Sequence, residues 1–272
     1  MPRFLLFWAA VPAVVLSVWL LHVAEAPRSM QTLQVVMATV AAAVFVVLVS
    51  MRRVRPPGDI QWVALALTLS LFIPLLADSG DGPERWLVLG SARLYVAPIV
   101  LPLVLLLLGA PLRAPSIYAA SVAVAATALV LQPDASQLSA FALAMLVLLA
   151  VSSANLLLRW ALLAVLLCCG VVAWLTPDPL APVRYVEGVF SLAAEVSSFA
   201  LLAALISAAL PVMALVWVAR ATRSSGTFAV AVYYTSLFTL SPLQVTPVPL
   251  LGFGAGPILG YFLVAGAISR KR

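Results

Sequence analysis

Charge is what this sequence has least of. Only 9% of its residues are Asp, Glu, Lys or Arg, and mean hydropathy is +1.17. A soluble domain carries about a quarter charged residues, so this chain cannot cover a water-facing surface. Histidine is nearly absent: His22 is the single one, at the end of the first apolar run, which excludes a histidine-based triad or a histidine zinc site. The two cysteines, Cys168 and Cys169, are adjacent inside an apolar run. Neighbouring cysteines rarely bridge, and they have no metal-ligand spacing. The glycines from Gly252 to Gly256 lack the lysine and hydroxyl pair of a phosphate-binding loop. Net charge is +6, but the basic residues sit in short connections between apolar runs, which argues against nucleic acid as a partner.

What fills the chain instead is a succession of apolar runs of bilayer length. They cover roughly 4–24, 31–51, 60–77, 91–110, 116–132, 137–153, 159–176, 188–218, 227–241 and 257–269. The fold expected is an all-α integral membrane bundle of about ten transmembrane helices, one polytopic domain over residues 1–272. Placing the connections alternately on two sides sorts the charges. One side receives eleven of the fifteen basic residues, among them Arg52, Arg53, Arg55, Arg113, Arg159, Arg220, Arg223 and Arg270, with Asp59 as the one acid. The other receives Glu25, Asp78, Asp81, Glu84, Asp134, Asp178 and Glu187. The basic side is cytoplasmic by the positive-inside rule, so both termini are expected there. The first run, flanked by Arg3, ends without a convincing small-residue cleavage site and is expected to be retained as a span.

The outer connections carry four motifs in order. They are Gly82-Pro-Glu-Arg85-Trp86-Leu-Val-Leu89-Gly90, Gln132-Pro133-Asp134, Tyr185-Val-Glu187-Gly-Val-Phe190 running on to Glu195, and Pro242 to Gly256 with prolines at 242, 247 and 249. In this order and topology the chain resembles the SEDS family of cell-wall glycosyltransferases, the FtsW, RodA and SpoVE group, as a short and divergent relative. Three departures stand out. The family's helix-four glutamate and lysine fall near Val96-Ala-Pro98 and Leu101, where no charge exists. The catalytic aspartate position is Glu187, preceded by Tyr185-Val186 instead of His-Thr. The long outer loop before helix eight shrinks to about Thr176–Tyr185.

The resemblance implies a protein that handles lipid II, or another undecaprenyl diphosphate-linked precursor, on the outer face of the bacterial cytoplasmic membrane. It implies peptidoglycan glycan polymerisation in cell division or cell shape, beside a class B penicillin-binding transpeptidase. Glu187 is then the catalytic base, and Arg85, Asp134, Pro249 and Gly254 are substrate contacts. No cofactor is evident, although a divalent cation at the diphosphate fits the chemistry. The second reading is a non-catalytic relative that binds a lipid-linked precursor or scaffolds envelope enzymes. A transporter is the third, disfavoured by the lack of an inverted repeat and of paired charges in the helices.

Each residue also has a plain structural use. Glu187 suits a helix N-terminus, where the dipole favours an acid. Asp134 suits an N-cap into the sixth helix, and that use is favoured for its side chain. Glu195, about 12 Å along the helix from Glu187, is expected to face the bundle with a polar partner inside the membrane. Arg85 can hold a phosphate or pair with Asp81 or Glu84, and Arg93 lies on the same outer side. Trp86 suits an interfacial anchor. A cysteine replacing Ser79 should label from outside the cell and one replacing Ser269 only from inside; labelling of position 79 from the cytoplasm alone would invert the topology.

Overall fold

Four of the described helices begin with a side chain that caps them. Asp134 caps one, accepting from Gln137 N (3.2 Å), and Asn155 caps the next, accepting from Leu158 N at 2.8 Å. Ser197 and Ser224 do the same toward Ala200 N and Thr227 N. These side-chain oxygens satisfy amides that the first helical turn leaves without partners. The structure is a computed structural model that describes residues 4–51, 60–77, 84–89, 92–178 and 180–270. Arg52 to Asp59, Asp78 to Pro83 (with Ser79 and Asp81), Gly90 and the two C-terminal residues lie outside the described residues.

The helices are α1 (Leu5–Val23), α2 (Arg28–Ser50), α3 (Ile60–Leu69) and α4 (Ile73–Leu76), then α5 (Ala97–Leu108), α6 (Pro115–Leu131), α7 (Ala135–Val151) and α8 (Leu156–Leu175). They continue as α9 (Val189–Val196), α10 (Ser198–Thr222), α11 (Ser225–Leu240) and α12 (Ala255–Arg270). Between α4 and α5 a two-stranded antiparallel hairpin pairs β1 (Trp86–Leu89) with β2 (Ala92–Tyr95), Trp86 opposite Tyr95. Every expected run therefore contains a helix. Four helices, α1, α2, α8 and α10, are long and apolar enough to cross a membrane alone, and shorter apolar helices pack among them. The protein is a multi-pass, all-α membrane protein.

Three runs differ internally from expectation. The third is interrupted by a tight turn at Ser70–Phe72, where Pro74 lacks an N–H for the α-helical ladder. Gln132 fills the gap by donating to Leu71 O at 2.6 Å. The run 91–110 was expected to be helical throughout, yet its outer end is β2, and α5 starts only at Ala97 with Pro98 in its first turn. Irregular backbone at that depth is tolerated because protein covers it: Tyr95 and Val96 are buried. The run 188–218 is not one helix, since Ser197 is extended and divides α9 from α10. Length explains the break. The 25 residues of α10 reach about 37 Å, enough to cross the hydrocarbon core without α9.

Lipid offers no hydrophobic drive for helices to associate, so close packing of small residues takes over. α12 lies among α1, α2 and α5, and α7 among α5, α6, α8 and α11. At Gly260 of α12 a Cβ would sit 1.9 Å from Pro98 O, so the two backbones touch. Hydrogen bonds sort the connections to two ends. Tyr185 OH reaches Ala24 O (3.4 Å) and Gln132 reaches Leu71 O at one end, while Gln61 accepts from Ala114 N (2.6 Å) and Ser225 donates to Gly109 O (3.2 Å) at the other. Gly260→Ala should overpack the α5–α12 contact and cost about 1–3 kcal/mol. A thermal unfolding scan in detergent reads this directly.

Candidate functional site

The outer end of the bundle gathers its polar side chains around one buried carboxylate. Asp134 is 1% exposed. Its Oδ1 caps α7 through Gln137 N (3.2 Å) and accepts from Ser136 Oγ (3.2 Å), while its Oδ2 accepts from Tyr95 OH in a short bond. Tyr95 is delivered by β2, and Trp86, its partner across the hairpin, stacks on it with ring centres 4.8 Å apart. Deeper in, the side chain of Gln137 accepts from Tyr233 OH of α11. One polar chain thus runs from the hairpin through Asp134 into the core.

Arg85 stands at the start of the hairpin and is 6% exposed. It pairs with Asp178 of the α8–α9 connection at 2.6 Å, and its Nε is buried with no hydrogen-bond partner. Burial works against the guanidinium charge, but Asp134, Tyr95 and Asp178 outweigh it and hold the group firmly protonated. Burial pushes the Asp134 carboxyl upward, and Arg85 and the Tyr95 hydroxyl oppose that shift. Asp178 is the exposed member of the pair, 39% open.

Glu187 lies in the same electrostatic neighbourhood, within reach of both Arg85 and Asp178. It is half-buried, and burial raises its pKa against the opposing hydrogen bond from Val183 N (2.8 Å). It is not a helix-capping acid: Gly188 takes the N-cap of α9, and Glu187 closes the preceding turn. The late proline-rich loop packs directly on this turn. Val248 N donates to Val186 O (3.1 Å) and Phe253 N to Tyr185 O at 2.7 Å. Pro249 is buried within that loop, and the Gly254 amide is directed to Gln34 Oε1 at 3.2 Å. A Cβ at Gly256, in the first turn of α12, would meet Tyr95 O at 2.3 Å, so the start of α12 lies flush on the hairpin.

Glu195 stands elsewhere. Its side chain is 60% exposed and pairs with Arg184 at 2.5 Å instead of facing the bundle. The extended Ser197 ends α9 one residue beyond Val196, so Glu195 lies in the last turn of a short separate helix and not within α10. Arg93 is exposed, and Trp86 is a stacking partner more than a free interfacial anchor. The helix-four positions hold buried Val96, Pro98 and Leu101. Tyr95, Gln137 and Asp178 were not singled out from sequence. Tyr95 was hidden inside an expected helix, while Asp178 was visible as an outer acid without a known partner.

No protein-family model matches the chain, and no curated protein matches it in sequence. Its fold is found among solved structures of SEDS type. It is similar to an aspartate-to-alanine mutant of the rod shape determining protein RodA of Thermus thermophilus, with 19% identity, a TM-score of 0.69, and coverage of 97% of this chain and 95% of that one. A second similar chain, from a peptidoglycan synthase complex that coordinates polymerization and crosslinking, gives 19% identity and a TM-score of 0.69 over 97% and 96% of the two chains. The fold is therefore SEDS-like from end to end.

Asparagine caps a helix about as well as aspartate. Asp134→Asn therefore keeps the α7 cap but removes a negative group from the surroundings of buried Arg85, and should lower stability while the Arg85–Asp178 pair remains. In a double-mutant cycle with Arg85→Gln the two losses should be far from additive; additive unfolding energies would show the charges to be independent.

Proposed function

We propose that this protein binds an undecaprenyl diphosphate-linked cell-wall precursor of the lipid II type at the outer face of the bacterial cytoplasmic membrane. The observation that carries the reading is Arg85: a buried, permanently charged guanidinium whose Nε has no hydrogen-bond partner, ion-paired to the exposed Asp178 and in the electrostatic neighbourhood of Glu187. A guanidinium is suited to phosphate oxygens through charge-assisted, paired hydrogen bonds. The diphosphate would displace Asp178 and take up the free donor. A divalent cation arriving with the diphosphate would meet Asp178 and Glu187 as its nearest open carboxylates. Among the described residues no three His, Cys, Asp or Glu gather to hold a metal by themselves.

In the catalytic form of this reading the protein extends a glycan strand, as in division or cell-shape synthesis. Glu187 takes the proton from the attacking sugar hydroxyl, the new glycosidic bond forms at the anomeric carbon, and the polyprenyl diphosphate leaves with its charge held by Arg85. The raised pKa of Glu187 favours a base working near neutrality. The SEDS-like fold supports the reading, and the synthase-complex neighbour supports a class B penicillin-binding transpeptidase as partner. A specific observation favours the second reading, a non-catalytic precursor binder or scaffold. Where the family carries a helix-four glutamate and lysine, this chain packs Pro98 and Leu101 into the core.

Glu187→Gln separates the two. It keeps the acceptor for Val183 N, so folding stability should change by no more than about 1 kcal/mol. Glycan polymerisation from purified lipid II, with and without the transpeptidase, should be abolished while precursor binding persists. In the unmutated protein the rate should rise with pH through a value above the ordinary carboxylate range, because only the deprotonated carboxylate accepts the proton. Undiminished polymerisation in the Glu187→Gln protein would reject Glu187 as the base, whereas precursor binding without polymerisation by the unmutated protein, with or without the transpeptidase, would leave the binder as the correct reading.

A further inference from the structure

α2 is a lipid-facing helix with few buried residues, and one of those is a glutamine. Gln34 is 1% exposed, about 9 Å into the helix from its outer end. A polar side chain at that depth is costly unless it is fully partnered and faces protein. Gln34 meets both conditions. Its Nε2 donates to Ser17 Oγ of α1 (2.8 Å) and to Gly252 O (3.3 Å), and its Oε1 accepts from Gly254 N at 3.2 Å. Two of these three bonds go to the backbone of the late loop, and they bracket Phe253.

That loop needs holding. Gln244 and Leu250 have left-handed φ of 57° and 66°, and Gly254 has φ 153°. For Gln244 and Leu250 such conformations persist only where surrounding contacts impose them, whereas Gly254 adopts its own freely. The loop also presses flush on the turn of Glu187: a Cβ at Gly252 would lie 2.5 Å from Val186 O, and Phe253 N donates to Tyr185 O. Tyr185 OH in turn reaches Ala24 O, at the end of α1. The Tyr185–Glu187 segment is therefore enclosed between the α1–α2 end and the loop that Gln34 grips.

We propose that Gln34 is a positioning residue for the candidate site: it clamps the backbone of residues 252–254 and through it sets the Tyr185–Glu187 turn beside Arg85. This rests on the lipid-precursor reading for its effect on ligand, though not for the clamp itself. The alternative role is a plain staple between α1 and α2 through Ser17.

The test compares Gln34→Met with Ser17→Ala in the full chain in nanodiscs. Amide exchange over residues 248–254 is measured beside affinity for geranylgeranyl diphosphate as the probe. Gln34→Met should speed exchange in that segment about tenfold and weaken the probe about tenfold, while Ser17→Ala changes neither by more than about twofold. Gln34→Asn, one methylene shorter, keeps the polarity but not the reach, and should repeat the result if the methionine variant folds poorly. Unchanged exchange in the Gln34 variants overturns the clamp. Ser17→Ala reproducing both effects assigns Gln34 to a staple, and faster exchange with undiminished affinity removes the loop from the site. An unmutated protein that binds no diphosphate would reject the precursor reading instead, with the exchange measurement still deciding the clamp.

Discussion

A carboxylate with almost no access to water organises the outer end of this bundle. Asp134 could not remain there without partners, because a buried charge is tolerated only when paired and hydrogen-bonded. It has both: Tyr95, Ser136 and the Gln137 amide bond to it, and Arg85 supplies the opposite charge. Those partners come from the hairpin and the first turn of α7, and Gln137 carries the link on to α11. Remove the carboxylate and the hairpin loses its anchor, Arg85 loses a countercharge and Tyr95 its acceptor. The shape of the outer mouth follows from satisfying this one group.

The same requirement explains the polar residues scattered through otherwise apolar runs. Gln34, Gln61, Gln132 and Gln137 are buried, and each ties a helix to a neighbouring helix or connection. Lipid gives neither water to satisfy such groups nor a hydrophobic force to hold helices together. Hydrogen-bonded glutamines and touching backbones at small residues supply the specificity instead. The exposed ion pair of Arg184 and Glu195 is a different case, since solvent-accessible pairs contribute little to stability.

A site built this way has a rigid inner part and an open outer part. Asp134, Tyr95 and Arg85 are buried, and stacking on Trp86 steadies the hairpin. Asp178 and Glu187 lie toward solvent on the short α8–α9 connection, which is pinned at Tyr185 to α1 and to the late loop. The buried charge of Arg85 thus stands behind an exposed carboxylate.

Membrane insertion, the approximate positions of the ten apolar runs and the SEDS-like fold were legible in the sequence. Each depends on quantities that a linear chain carries: hydropathy over bilayer length, the order of motifs and local caps such as Asp134. Other features were decided only by the tertiary structure. Residues 92–95 read as helix by hydropathy but form a strand, because a neighbouring strand and a covering bundle make that backbone affordable at depth. Glu195 reads as an acid facing the bundle, but its side chain is exposed and pairs with Arg184. Asp178 becomes the partner of Arg85, and Gln34 the partner of Gly252 and Gly254, across separations of 93 to 220 residues that no local pattern encodes. Hydropathy is additive along the chain and can be read from it; the pairing of buried polar groups is a property of three-dimensional neighbours and cannot.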